Sequence, residues 1–180
     1  MKKIITTFFK EIVPIVVGIL IALYINNWNE AIKDKDYINR ISTSISKELT
    51  ETHDDIVDKL VKQKTLIDSL DFYLKDNDIS IFAVTEKAGG IYIPIIRTNA
   101  WKAISNSKIE LMDYDKVFTL GDIEEGKGLL KLKSNKLLDF LYSNFKETDE
   151  DKKAFLKLSM EEIMRTERDL QKDIQKIIKE

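Results

Sequence analysis

An uncharged, apolar run near the N-terminus constrains this chain more than any other feature. From Ile12 to Asn29 no residue carries a charge, and from Ile12 to Ile25 nearly all are Ile, Val, Leu or another apolar residue. At 1.5 Å rise per residue, Ile12 to Ile25 covers about 21 Å as a helix, short of a hydrocarbon core about 30 Å thick. The aromatic flanks extend it. Phe8 and Phe9 precede the run, and Tyr24 and Trp28 close it. Phe8 to Trp28 would cover about 30 Å with an aromatic rim at each interface. Lys10 can snorkel to the nearer rim. An interfacial helix would need a polar face, which this run lacks. The expectation is a transmembrane helix.

A cleaved signal peptide explains the run less well. Lys2 and Lys3 suit its basic region, but Lys10 and Glu11 stand where the apolar core should begin. No small-x-small cleavage site follows Ala22. An uncleaved signal-anchor fits better. The short basic tail then stays in the cytoplasm, and residues 30–180 lie outside. Glu11 is costly at a membrane edge unless it is hydrated, protonated or paired, with Lys10 as the plain partner. Gly18 and Ala22 form a small-xxx-small pair, the spacing that lets two helix backbones approach closely. Pro14 can kink the span near its start.

The rest of the 180-residue chain is large enough for one domain. A net charge of −2 gives no general attraction to nucleic acid. With no cysteine, disulfides and thiolate metal sites are excluded. Two prolines and six glycines are too few for the many turns of a β-sandwich or barrel. The apolar pattern is helical. From Tyr37 to Leu74 the series Ile38, Ile41, Ile45, Leu49, Ile56, Leu60, Ile67, Leu70, Leu74 recurs at three- and four-residue steps, with Thr52 and Gln63 or Lys64 in the missing turns. That is a narrow stripe close to a coiled-coil seam. No breaker separates it from the span, so one rod is expected, interrupted at most near Asn26 to Asn29.

The predicted organisation has a cytoplasmic tip and anchor over 1–29 and a helical domain over 30–180. Within the latter, a long helix covers 30–75, an irregular loop 76–97, shorter helices 98–146 and a last helix 149–178. Pro94 keeps Ile91 to Ile96 from being a central strand or a helix interior, so an extended loop packed on the helices is expected. Thr98 or Asn99, Asp113, and Thr148 or Asp149 are candidate N-caps. Gly121 to Gly128 reads as a loop. Leu137, Leu138, Phe140, Leu141 and Phe145 read as the apolar face of the helix after it. The last helix carries Leu156, Met160, Ile163, Leu170, Ile174 and Ile177 on one side. Two long seams need each other or another subunit. The fold class is all-α: a transmembrane helix continuing into a long amphipathic helix that packs with C-terminal helices as an antiparallel bundle.

Motifs for chemistry are weak. Gly121-Asp-Ile-Glu-Glu-Gly126-Lys127-Gly128 approaches a P-loop, but Gly128 replaces the hydroxyl that binds magnesium, and three acids would repel phosphate. Asp76, Asp78 and Ser80 resemble the start of a calcium loop, but Ile81 and Lys87 stand where Gly and Glu are needed. His53 is the one histidine, too few for a multi-histidine metal site, and reads as a half-buried interface residue. Asp54, Asp55 and Asp58 read as a solvated face. Trp101, Phe118, Phe140 and Tyr142 read as the core of the smaller half. No catalytic residue, metal site or cofactor is expected.

The block EIVPIVVGILIALYINNWNE, residues 11–30, resembles the opening of an uncharacterised family of short, single-span envelope proteins from Bacteroidota-type bacteria. The matching residues are Glu11, Gly18 to Leu23 and Asn26 to Glu30, and a segment comparable to Thr98-Asn-Ala-Trp101 also looks similar. Pro14 and Tyr24 depart from the family pattern. The match covers about a ninth of the chain and implies topology and a helical outer domain, with no activity. Type IV pilins also pair an early Glu with an apolar helix, but the prepilin Gly and a β-rich head are missing.

These readings converge on a membrane-anchored, non-enzymatic interaction or scaffold protein of the bacterial inner membrane, with a periplasmic domain. It would belong to a cell-envelope complex. Its contact residues would be Glu11, Gly18, Ala22, Asn26, Asn27, Trp28, Asn29 and Glu30. Its partners would be membrane lipid and a second copy or another membrane protein, and not nucleic acid. The alternative is an extracytoplasmic ligand-sensing bundle that signals through a partner.

Overall fold

The structure is a computed structural model that describes the backbone of residues 2–179 and the side chains of residues 12–179. Five α-helices carry the chain: α1 (Lys2–Phe72), α2 (Ile81–Lys87), α3 (Asn99–Ser105), α4 (Tyr114–Asn144) and α5 (Glu150–Ile178), with one 3₁₀ turn at Ile109–Leu111. Among the described residues there is no strand. The chain divides into two compact units, residues 1–42 and 43–180. Residues 30–42, read from the sequence as the start of the outer domain, group with the first.

The first unit is helical throughout its described residues. Neither Pro14 nor Asn26 to Asn29 interrupts α1. Pro14 lies well inside α1, where its missing amide removes one internal hydrogen bond, yet the helix runs on through it. At Asn26 the side-chain amide donates to Glu30 Oε1 at 3.2 Å, one turn on. The polar collar therefore continues the helix instead of breaking it.

The second unit is an antiparallel bundle, and its pairings set the direction. Along α1, His53, Gln63 and Asp71 meet Gln171, Glu167 and Lys157 of α5 in descending order. Along α4, Gly126, Lys133 and Phe140 meet Leu170, Thr166 and Phe155 in the same sense. The core comprises Ile45, Leu49, Ile56, Leu66, Ile67 and Leu70 from α1, Leu120, Ile123, Leu130 and Leu137 from α4, and Leu156, Met160, Ile163, Leu170 and Ile174 from α5. Of the two residues that could fill the missing turn of the α1 stripe, Gln63 is buried and Lys64 is exposed.

Several expectations are corrected. The segment 76–97 is not wholly irregular, because α2 lies inside it. Ser80 caps this helix by accepting from the Ala83 amide at 3.2 Å. The amides of Ile81 and Phe82 donate to the carbonyls of Glu147 and Phe145, in the α4–α5 connection. So short a helix is marginal alone, and these distant partners hold its open end. Gly89 and Gly90 then end it with φ of 86° and 110°. Only glycine adopts such angles without strain.

Gly121 to Gly128 is not a loop but the middle of α4. Glycine lowers helix propensity by about 1 kcal/mol per residue, which burial of the flanking Leu120, Ile123 and Leu130 outweighs. Gly126 has a packing reason: a Cβ there would lie 2.7 Å from Leu170 Cδ2. The aromatic core is also corrected. Trp101 is buried, but Phe118 and Tyr142 are exposed and Phe140 is half-buried against Phe155. Leu138 and Phe145 are likewise exposed. Ile123 and Leu130 bury in their place, on the same face of α4 as Leu120 and Leu137.

The three α4 glycines should separate by sign. Gly126→Ala forces Leu170 out of a close-packed site and should destabilise by about 1–2 kcal/mol net of its gain in helix propensity. At Gly121 and Gly128 an added Cβ meets nothing within 4 Å. Alanine at either should stabilise by about 0.5–1 kcal/mol. Denaturant melts of the three variants check both signs.

Candidate functional site

In the first unit the candidate contact residues sit on an uncovered helix. From Ile12 through Ile25 every side chain is exposed, as are Asn26 to Glu30. The helix is long and apolar enough to cross a membrane. A Cβ added at Gly18 meets nothing within 4 Å. The Glu11 side chain lies outside the described residues, though its backbone is helical. At 100° per residue, Glu11, Gly18, Ala22 and Asn29 fall within about 20° of one line along the helix. Asn26, Asn27, Trp28 and Glu30 circle the helix instead, as a collar. The sequence reading singled out all eight, and the helix aligns four of them.

In the second unit the notable construction is a strap, residues 91–98, lying along α1. It belongs to no helix or sheet, so its backbone needs other partners. Side chains of α1 supply them in register. Thr52 Oγ1 accepts from the Arg97 amide at 3.1 Å and Asp55 Oδ2 from Ile95 at 2.7 Å, and one turn back Glu48 Oε2 accepts from Ala100 at 3.1 Å, in the first turn of α3 just past the strap. Further along, Gln63 Nε2 donates to the Tyr92 carbonyl at 2.9 Å. The strap thus runs antiparallel to α1, gripped by one polar face. Asp55, read from sequence as part of a solvated patch, is a structural acceptor that also pairs with Lys59 at 3.2 Å.

Behind the strap lies the most unusual group of the unit. Glu167 of α5 is fully buried and takes a hydrogen bond from Gln63 Nε2 at 2.7 Å. Burial pushes its carboxyl up to about 7; the Gln63 hydrogen bond and the Arg168 charge oppose this, and the Asp55 charge adds to it. Between the ordinary value and about 7, the native state therefore holds a proton that the unfolded chain has released. Stability from this group is full below the ordinary glutamate value of 4.5 and falls as pH rises toward about 7.

Lys153 is also fully buried, on the inward face of α5. Its Nζ donates to the Tyr73 carbonyl at 3.1 Å and to the Asp76 carbonyl, just past the end of α1. A cation there suits the negative end of the helix. His53 bridges the same two helices, as a half-buried interface residue. Its Nε2 lies 3.1 Å from Gln175 Nε2 and 3.3 Å from Gln171 Nε2. Thr98 stands at the N-cap position of α3 without capping it. Its hydroxyl instead accepts from Lys127 Nζ at 2.6 Å, tying the strap end to α4. Beside it, burial raises the Glu124 carboxyl, but hydrogen bonds from Thr98 and Lys102 and the charge of Lys127 outweigh this and hold it low.

The other face of the strap and α4 enclose an open groove of about 280 Å³, lined by Ile93 to Ile96 with Lys127, Leu130, Lys131 and Ser134. The P-loop-like residues lie within α4, so their amides are engaged in the helix and cannot cradle a phosphate. Asp76 Oδ1 accepts from the Asp78 amide at 2.9 Å, and Ser80 caps α2. Among the described residues no cluster of three or more His, Cys, Asp or Glu is arranged to hold a metal. Sequence reasoning missed the strap's ladder, Glu167 and Lys153. The one usable signal was a charged residue falling on the apolar seam of α5, at Lys153 and again at Glu167. Compared with known proteins, the chain matches no family model, no curated protein and no solved structure.

Two substitutions test the buried polar contacts. Thr52→Val keeps the shape but leaves the Arg97 amide without an acceptor, and should cost about 1–2 kcal/mol. Lys153→Met removes the donor to the Asp76 carbonyl and one of the two donors to the Tyr73 carbonyl, which keeps the Asp76 amide, and should cost about 1–3 kcal/mol. Denaturant melts of each variant give the values; a change within error for Lys153→Met would mean that water replaces the ammonium there.

Proposed function

We propose that this chain is a membrane-anchored, non-enzymatic interaction or scaffold protein, a subunit of a bacterial cell-envelope complex. The observation that carries the reading is the line of Glu11, Gly18, Ala22 and Asn29 on an exposed apolar helix. A lipid-facing helix needs no small residues and no carboxylate, and such a line suits close contact with a second helix. The resemblance of residues 11–30 to single-span envelope proteins supports the same reading. The basic residues Lys2, Lys3 and Lys10 favour a cytoplasmic N-terminus, which puts the helical bundle in the periplasm. There the second unit presents a bundle to other envelope components. A second reading, a ligand-sensing bundle that signals through a partner, draws on the groove between the strap and α4.

The absence of cysteine makes single-cysteine labelling clean. Val61→Cys, at a position 68% exposed, should react with an impermeant maleimide in intact spheroplasts. Protection until the membrane is broken would place the bundle in the cytoplasm and overturn the topology. Gentle detergent release from native membranes should yield a complex heavier than the 20.9 kDa chain. The double variant Gly18→Leu/Ala22→Leu should stay in the membrane fraction but lose that complex. A lone monomer in the parent would overturn the scaffold reading and turn attention to ligands that raise the melting temperature.

A further inference from the structure

The pair Gln63–Glu167 contains an unresolved mismatch. Gln63 Nε2 uses its two hydrogens on the Tyr92 carbonyl and on Glu167 Oε1. That leaves Gln63 Oε1 and Glu167 Oε2, both buried and both without a hydrogen-bond partner. The Tyr92 carbonyl fixes the amide's orientation, since a flipped Gln63 would turn oxygen toward oxygen. Two buried acceptors in one hydrogen-bonded pair lack a donor, and such groups are rarely left unsatisfied.

One proton on Glu167 resolves both. We propose that Gln63 and Glu167 form a single-proton latch: Glu167 Oε2–H donates to Gln63 Oε1, and release of that proton to solvent loosens the strap 91–98 from α1. With the proton in place, acid and amide pair through two hydrogen bonds, and the second amide hydrogen holds the Tyr92 carbonyl. With the proton lost, a bare carboxylate faces the amide oxygen inside the core. The groups around it offer little relief. From α1, Asp55 adds a like charge and is itself paired with Lys59. From α5, the neighbouring Arg168 is exposed. From α4, Lys133 reaches the adjacent Thr166 and the Glu162 carbonyl and not Glu167. The strap contributes only the Tyr92 carbonyl, another acceptor. His53 lies further along α1, against Gln171 and Gln175. The ionised carboxylate must therefore draw in water or swing outward, and because Gln63 holds both Glu167 and the Tyr92 carbonyl, that adjustment is passed through Gln63 to the strap. Because Ile93 to Ile96 also form one wall of the groove against α4, the latch governs that wall as well. The inference stands independently of membrane anchoring.

The test uses the full chain in detergent micelles, comparing the parent with Glu167→Gln, which mimics the neutral acid at every pH. Amide hydrogen exchange at Ile95 and Arg97, corrected for intrinsic pH dependence, should quicken about tenfold or more in the parent between about pH 5.5 and about pH 8.5 and stay level in Glu167→Gln. Parallel profiles in the two proteins would assign any pH effect to groups other than Glu167 and overturn the latch. Infrared spectra of the parent provide a readout that does not depend on the variant folding. A buried protonated-carboxyl band should be present at acid pH and vanish as pH passes about 7. Absence of that band at about pH 5.5 would mean that Glu167 is already ionised, and would equally overturn it.

Discussion

The bundle of residues 43–180 depends on how an extended segment is hydrogen-bonded where the described residues offer no sheet. Residues 91–96 of this segment are apolar and must pack, yet Pro94 and their extended course deny them helix or ladder partners. The answer is a polar face on α1. Thr52 and Asp55 present acceptors to two strap amides, Glu48 to the Ala100 amide where the strap enters α3, and Gln63 presents a donor to a strap carbonyl. Helix periodicity thereby acts as the strap's missing strand. The consequence is that α1 cannot be uniformly apolar where it meets its neighbours. Thr52 and Gln63 are buried on the same helix as Ile56 and Leu66.

That arrangement explains what could be read from the sequence and what could not. Of the long helices, α1 and α5 were legible because burial repeats every three or four residues, as at Ile45, Leu49 and Ile56, and at Leu156, Met160 and Ile163. Asp113 and Asp149 were legible as caps because a carboxylate before a helical run is a local signal. The extended strap was legible from Pro94 alone. What the sequence hid was decided at long range. The open end of α2 is held by carbonyls of Phe145 and Glu147, more than sixty positions away in a chain of 180. The three glycines of α4 suggest a loop until Leu170 is found seated on Gly126. The aromatic residues were misassigned because size was taken as a sign of burial, whereas phase on α4 turns Phe118 and Tyr142 outward and Leu120 and Leu137 inward.

The candidate sites divide the same way. Gly18 and Ala22 are a local pattern that any helix would align. Glu167 is not local at all. Its sequence context, Arg165-Thr-Glu-Arg-Asp169, is that of an exposed helical face. Only the α5 stripe, continuing from Ile163 through Glu167 to Leu170, places it inside. A buried carboxyl is expensive, and a seam that admits one between Ile163 and Leu170 gives up stability that a leucine would supply.

Lys153 and Glu167 differ in how that cost is met, and the difference shows where change can occur. Lys153 brings an ammonium to two carbonyls at the end of α1, so its donors meet acceptors and the junction is closed. Glu167 brings acceptors to a place where acceptors are already in excess. The first contact is complete as built, so α5 is anchored firmly at its N-terminal end. The second is complete only when a proton is added from outside. Of the two buried ionisable groups on one seam, the carboxyl is the one whose state solvent can alter, and it lies directly behind the strap.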